Sequence, residues 1–285
     1  MLDVIIDTLL DVLKLLPFLF ITYLAMEYLE HHSSAKTEKL ISEAGAFGPA
    51  LGALCGIVPQ CGFSASASNL YARRLISAGT LIAVYLSTSD EMLPIMISEA
   101  APLPLMLKVL GVKLLCGIVF GYIVDLALGR FFRTGGHTDI HDMCESAHCH
   151  CGERGVLYSA FIHTVQIAGY ILVITFVLNL AIHLIGEENL GGLILSQPVI
   201  GTLIAAVVGL IPNCAASIVI TELFLKGAIT TGAMLAGLLV GAGVGLMVLF
   251  RVNSKRLADN LKLLGILYVS GVLVGILFDL LRISF

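Results

Sequence analysis

Long apolar runs recur along the whole chain and leave no stretch large enough for a separate water-soluble domain. A helix needs roughly 20 apolar residues to cross a bilayer. Only 13% of the 285 residues are charged, whereas soluble domains carry about 25%. We therefore expect an all-α polytopic membrane protein. The runs cover Leu15–Met26, Ala78–Leu86, Leu114–Leu128, Val156–Ile185, Leu193–Ile211, Ala228–Phe250 and Leu261–Leu281.

The two halves of the sequence resemble each other. The segment Gly-Ile-Val-Pro-Gln-Cys at Gly56–Cys61 aligns with Gly-Leu-Ile-Pro-Asn-Cys at Gly209–Cys214. Glycines, prolines and a cysteine that stay in register over more than a hundred residues favour an internal duplication. Further aligned pairs are Ser64 with Ser217, Gly79 with Gly232 and, after one inserted residue, Gly111, Gly117, Gly121 and Asp125 with Gly265, Gly271, Gly275 and Asp279.

Each half reads as five segments, which predicts ten crossings in total. An odd number of crossings per half places the second half upside down in the membrane, as in the inverted repeats of many transporters. The predicted units are a first five-helix repeat at 1–130, a linker at 131–154 and a second repeat at 155–285. In each half a long helix (Val4–Leu29; Val156–Ile185) precedes a helix that ends at the proline (Ala46–Val58; Leu193–Ile211), a short segment (Phe63–Ala72; Ala216–Leu225) and two more long helices.

Basic residues support this parity. With ten crossings, Lys108, Lys226 and Arg282 lie on one face, and most other lysines and arginines lie on the opposite face. The positive-inside rule then places both termini outside and the linker in the cytoplasm. Short full spans and re-entrant hairpins give the same parity, so both remain open. The cytoplasmic set is Lys36, Lys39, Arg73, Arg74, Arg130, Arg133, Arg154, Arg251, Lys255 and Arg256.

The two proline elements are the first candidates for a binding site. Interrupted segments at matching places in two halves typically mark transporter sites, and proline leaves a backbone carbonyl without its helical donor. An ion could be held by such carbonyls, by side-chain amides and by thiolates. The alternative is a helix kink with cysteine packed as a small hydrophobe. The candidates are Gln60, Cys61 and Ser64, with Asn213, Cys214 and Ser217 in the second half.

Acidic residues inside the apolar segments are the second group of candidates. Asp90 and Glu91 lie in the fourth segment, and Glu222 aligns with Asn69. A charge near the bilayer centre costs about 2.5–3.5 kcal/mol on insertion scales and usually has a function. Their oxygens suit divalent cations. The alternative is that the fourth helix ends near Ser87 and Asp90 caps a new helix in the headgroup zone.

The linker is dense in metal-ligand side chains. Imidazole and thiolate together favour zinc, copper or similar ions. The cysteines lack a paired Cys-x-x-Cys spacing, which argues against a rigid structural zinc site. A flexible collector or sensor of cytoplasmic metal and a simple polar linker both remain open. The side chains are His137, His141, Cys144, His148, Cys149, His150 and Cys151.

Two motifs carry a family resemblance. The segment Cys-Gly-Ile-Val-Pro-Gln-Cys-Gly-Phe-Ser-Ala-Ser-Ala-Ser-Asn-Leu-Tyr at Cys55–Tyr71 and Leu-Ser-Thr-Ser-Asp-Glu-Met-Leu-Pro at Leu86–Pro94 resemble the ten-transmembrane heavy-metal exporter family. Members of that family are labelled arsenic efflux or manganese transporters. The resemblance extends to the second half through Pro212-Asn-Cys214. It implies ten helices, an inner membrane and export of a metal or metalloid.

Ligand chemistry separates the two labels. Arsenite is captured by neighbouring thiols, which only Cys61 and Cys214 supply across the two halves, whereas the carboxylates and amides fit a divalent cation such as manganese. No Gly-x-x-x-x-Gly-Lys loop is present, so an ion gradient or the membrane potential should drive transport. We expect a transporter with no permanently bound cofactor. Its expected partners are the metal ion and the lipid bilayer but no nucleic acid, and a homo-oligomer is left open.

Two other classes are weaker. An intramembrane enzyme would use Cys61, His163 or Asp90, but no nucleophile and base occur at a recognisable spacing. An organic-anion or lipid carrier should place lysine or arginine inside the membrane. Only Lys14, Lys113 and Lys262 lie within the predicted helices.

Overall fold

The computed structural model describes most of the chain from the second segment onwards. The described residues are 47–58, 61–72, 74–89, 92–132, 156–185, 198–212, 214–283 and 285, with 9, 12, 13, 16, 17, 20, 21 and 24 of the first segment. The linker candidates from His137 to Cys151 lie outside them, as do Gln60, Asp90, Glu91 and Asn213 and the side chains of Cys61, His163 and Cys214.

All regular structure in the described residues is helical, which agrees with the predicted fold class. The first half contains α1 (Gly48–Gly56), α2 (Cys61–Ala72), α3 (Ala78–Ser87), α4 (Met92–Ser98) and α5 (Leu103–Phe132). The second half contains α6 (Val156–Ile185), α7 (Pro198–Gly209), α8 (Cys214–Leu225), α9 (Thr231–Val240), α10 (Val244–Val252) and, after a 3-10 turn at Ser254–Arg256, α11 (Leu257–Leu280).

Four stretches of the described chain are long and apolar enough to cross a membrane. Two of them are the fourth segments of the halves, Ala78–Ser98 and Thr231–Val252, and the other two are Leu103–Ala127 and Ser254–Leu280. The shorter apolar helices Ile200–Gly209 and Ala216–Leu225 belong to the interrupted segments that the sequence predicted. Apolar side chains such as Leu126 remain exposed on the outer surface, as expected for a surface that contacts lipid.

Three helices pack together in each half at crossings that require glycine. They are α1, α3 and α5 in the first half and α7, α9 and α11 in the second. A Cβ atom at Gly121 would lie 2.9 Å from the carbonyl oxygen of Gly79, and one at Gly275 would lie 2.5 Å from that of Gly232. Cβ atoms essentially never come within 3.0 Å of such atoms. The same close crossing therefore occurs in both halves.

A carboxylate binds the start of the central helix in each half. The backbone N–H of Gly79 donates to Asp125 Oδ1 at 2.8 Å, and that of Gly232 donates to Asp279 Oδ1 at 3.1 Å. The first turn of a helix has backbone donors without helical partners, and a negative charge there is stabilising. Both aspartates therefore anchor the crossing between the central helix and the last helix of their half.

The fourth segment of each half is interrupted. α3 ends at Ser87, and Thr88 donates from Oγ1 to the Val84 carbonyl at 2.7 Å, so its side chain satisfies a carbonyl at the helix end. In the second half α9 ends at Val240, and Gly243 adopts φ +53°, which favours glycine. The end of α3 confirms the alternative prediction that the fourth helix ends near Ser87. Apolar periodicity alone does not indicate this break, because Met92–Ile97 continues the apolar pattern. Thr88 and Ser89 are buried, so the break lies inside the protein.

The halves exchange contacts through their short helices. α2 of the first half packs against α10 of the second, and α4 of the first packs against α8 of the second. The two central helices, α3 and α9, also contact each other. The interrupted segments of both halves therefore meet in the middle of the described structure.

Candidate functional site

A cavity lies where the interrupted helices of the two halves meet. Its volume is about 20 Å³, which is room for about one water molecule or a small ion. The first half contributes residues beside the α3–α4 break and one side chain of α5, and the second half contributes the ends of α7, α8, α9 and α10. The lining residues are Thr88, Ser89, Met92 and Lys113, with Gly209, Ile211, Ala216, Ser217, Gly237, Leu238, Gly241 and Gly243.

The wall of the cavity consists largely of helix ends. α3, α7 and α9 end beside it, so carbonyl groups of their last turns lack a donor from a following helical turn. α8 and α10 begin beside it and bring backbone amides. Gly209 and Gly237 bring α7 and α9 together, because a Cβ at Gly209 would overlap the carbonyl of Gly237. Small residues thus give the cavity a backbone lining that can bind an ion.

A hydrogen bond joins the α3–α4 break to the end of α1. Ser89 donates from Oγ to the carbonyl of Ile57 at 2.6 Å, two residues before the proline of the first element. Ser89 lines the cavity and Ile57 follows the last turn of α1. Ile57, just before the first proline element, and Ser89, just before Asp90, are therefore in contact although they are distant in the sequence.

Among the described residues that line the cavity, Lys113 is the one with an ionisable side chain. It lies on α5 with 1% of its surface exposed, and its Nζ donates to the carbonyl oxygen of Leu238 on α9. Sequence reasoning used this lysine only to weigh an anion carrier and did not include it in the site. The alignment of the two halves could have identified Lys113, because it places this charged residue opposite the apolar Leu267.

The predicted serines and Asn69 occupy two different places. Ser217 lines the cavity. Ser64 and Asn69 are buried on α2 and do not line the cavity. Ser64 packs against α10, because a Cβ at Gly245 would lie 2.7 Å from the Cβ of Ser64. Asn69 donates from Nδ2 to the Ala65 carbonyl at 3.2 Å. Ser217 therefore belongs to the cavity, Ser64 belongs to the contact between α2 and α10, and Asn69 is buried with a hydrogen bond within α2.

A buried polar cluster at that contact was not predicted. Ser68 Oγ and Tyr85 Oη lie 2.7 Å apart, and the carbonyl of Gly245 lies 2.7 Å from the serine and 3.1 Å from the tyrosine. The Gly245 carbonyl accepts from two helices of the other half. The cluster fixes α10 against α2 and α3 beside the cavity.

Glu222 lies away from the cavity on α8. It forms an ion pair with Lys226 at 2.9 Å, and its side chain is 40% exposed. Five residues separate it from Ser217, which is about 7.5 Å along a helix. Within the described parts of the chain, no three His, Cys, Asp or Glu side chains lie close enough to hold a metal ion. Asp90 and Glu91 follow Ser89 directly in the sequence.

The comparison with protein families identifies the family of this chain. The family described as "Putative, 10TM heavy-metal exporter" matches residues 1–185 of the 285. A search of the curated proteins and a search of the solved structures found no match. The family match includes α1 to α6, and it agrees with the apolar helices of the fold. The chain therefore belongs to this family of heavy-metal exporters with ten transmembrane helices.

Proposed function

We propose that the protein exports a divalent transition metal, with manganese as the preferred ion, through the cavity between its two halves. The cavity itself is the observation that carries this proposal, because interrupted helices from both halves end there. Helix ends at membrane depth supply backbone dipoles to an ion that has lost its water. Neither half alone forms such a cavity, so transport needs the duplication.

Oxygen groups would supply the ligands. Ser89 and Ser217 line the cavity. We propose Asp90 and Glu91, which follow Ser89 in the sequence, as the negative charges that bind the ion. The amides of Gln60 and Asn213 and the thiols of Cys61 and Cys214 belong to the proline elements and complete the proposed set. Carboxylate, amide and carbonyl oxygens favour manganese over soft metals.

The other predicted residues receive supporting roles. Glu222 is half-exposed and paired with Lys226, so we assign it to the mouth of the pathway, where a charge attracts cations. Ser64 and Asn69 hold α2 beside the cavity. The linker histidines and cysteines would collect metal in the cytoplasm before it enters.

We further propose that the two repeats have opposite orientations in the inner membrane, with both termini outside. The contacts of α2 with α10 and of α4 with α8 indicate a two-fold relation between the halves, because related elements make related contacts. The five segments predicted in each half support the inverted form of that relation, since an odd number of crossings reverses the second half. Cysteine labels at the two ends of a cysteine-depleted variant should both react with a membrane-impermeant reagent in intact cells. Reaction at one end alone would exclude the inverted arrangement.

Resistance assays test the proposed substrate. Expression in a strain sensitive to metals should raise the tolerated manganese concentration roughly tenfold, and everted vesicles should accumulate manganese without ATP. Zinc, iron, copper and arsenite form the comparison set. Resistance to arsenite without resistance to manganese would support the alternative, a metalloid efflux permease.

A cavity variant provides the control. Ser217→Leu adds a side chain larger than the cavity of about 20 Å³, so it should abolish export of whichever metal the protein carries. The same change at Ser98, an exposed serine at the end of α4 that does not line the cavity, should leave export nearly unchanged. If Ser217→Leu transported metal at the original rate, the pathway would lie elsewhere.

A further inference from the structure

Lys113 is a fully buried lysine in a protein expected to carry cations. Only 1% of its surface is exposed, and it lines the cavity at the junction of the halves. An ammonium group inside a membrane protein is costly unless other groups compensate for its lost hydration. Such residues usually have a function, so its role needs a physical explanation.

The duplication indicates that packing does not require a lysine here. Gly111 and Gly117 align with Gly265 and Gly271, which places Lys113 opposite Leu267 without any gap between them. Leu267 lies on α11, completely buried in the core. The same position in the repeated helix is therefore filled by a shorter, apolar side chain, and the lysine distinguishes the two halves.

The hydrogen bond of Lys113 is made at a helix end. Leu238 lies in the last turn of α9, where carbonyls have no donor from a following turn, since the helix ends at Val240. The backbone N–H of Gly241 binds the carbonyl of Gly237, and Lys113 Nζ binds that of Leu238. The carboxyl end of a helix favours a positive charge. The ammonium thus occupies a favourable position for a cation inside the cavity.

We propose that Lys113 is a tethered cation that holds the cavity when no metal is present and competes with the metal for it. This inference rests on the proposed function. A divalent ion in so small a space would lie close to the ammonium, and like charges repel strongly where water is scarce. Metal binding therefore requires the ammonium to move away from Leu238. Its return weakens metal binding and promotes release, which an exporter needs in order to turn over.

Manganese binding to the purified full-length protein in nanodiscs tests this role. Lys113→Met removes the charge, Lys113→Gln removes the charge but keeps a donor for the Leu238 carbonyl, and Lys113→Arg keeps the charge. We expect the methionine and glutamine variants to bind manganese at least about tenfold more tightly than the original protein and to transport it more slowly in proteoliposomes. The arginine variant should bind manganese as the original does. Leu267→Met, the matched change in the other half, should alter neither property.

The outcomes separate the two proposals. If the folded original protein binds no manganese, the proposed substrate is wrong and the competition fails with it. If the original binds manganese and both neutral variants bind it equally well or less tightly, Lys113 is only a helix cap and the present inference alone is overturned. A methionine variant that does not fold leaves the glutamine variant to decide.

Discussion

Replacing Gly121 or Gly275 with alanine is expected to lower the free energy of unfolding by about 2–3 kcal/mol in each case, at the upper end of overpacking costs. An added Cβ at Gly121 meets the Gly79 carbonyl, Ala83 and Pro49, each at 2.9 Å. At Gly275 it meets the Gly232 carbonyl at 2.5 Å and Thr202 at 2.7 Å. Part of each contact is backbone, which cannot rotate away, so the helices must separate.

Two other glycines on the same helices provide the control. Gly111 on α5 aligns with Gly265 on α11, and an added Cβ has no neighbour within 4 Å at either position. Alanine there should leave stability unchanged or raise it by up to about 1 kcal/mol, since glycine is the poorer helix former. Unfolding in mixed detergent micelles measures all four variants. Equal effects at the four positions would show that the close crossings do not stabilise the packing of the helices within each half.

These crossings also explain why the sequence predicted so much of the fold. Gly79, Gly121 and Asp125 and their partners in the second half are each constrained by contact with a backbone, so few substitutions preserve them. They therefore remain recognisable as aligned pairs. The positions of the long helices could be predicted because a helix that crosses a bilayer needs a long apolar run. The predicted segment Val156–Ile185, for example, coincides with α6.

The sequence left the break in the fourth segment open, because a helix end near Ser87 was one of two alternatives, and the structure confirms that helix end. Ser87, Thr88 and Ser89 are compatible with a helix, and the end of α3 depends on side-chain hydrogen bonds to Val84 and Ile57 that involve a distant segment. Local propensity carries no information about such contacts. The second break contains Gly241 and Gly243, but many glycines in this chain serve helix crossings instead, so glycine alone did not identify it.

The candidate site was predicted in part for the same reason. Ser217 was predicted from the duplication, and it lines the cavity. Asp90 and Glu91 lie outside the described residues and stay predictions. Lys113 was not predicted, because a lone lysine in an apolar helix resembles a residue that reaches the interface with its charged end. Its burial depends on the arrival of α9 from the other half, which places the Leu238 carbonyl within reach.

Asp90→Asn is expected to reduce manganese export by at least about 100-fold. Loss of a residue that hydrogen-bonds to a metal ligand typically lowers metal affinity or activity 10–100-fold. Loss of a charged ligand itself should lower it more, since the cavity offers mostly uncharged backbone to compensate. Asparagine has nearly the same shape and keeps an oxygen, so packing should be little changed. Export into everted vesicles, normalised to the amount of protein in the membrane, measures the effect.

The thiols provide the matched comparison that distinguishes manganese from arsenite. In the double variant with Cys61→Ser and Cys214→Ser, hydroxyls replace thiols in both proline elements. A manganese exporter should retain most of its rate, because oxygen is the ligand that manganese prefers. An arsenite permease should lose transport completely in this double variant, because arsenite is captured by neighbouring thiols. Asp90→Asn should change arsenite transport little, because arsenite is a neutral substrate. If loss follows the cysteines and not the aspartate, the cavity carries a metalloid and the proposed divalent ion is wrong.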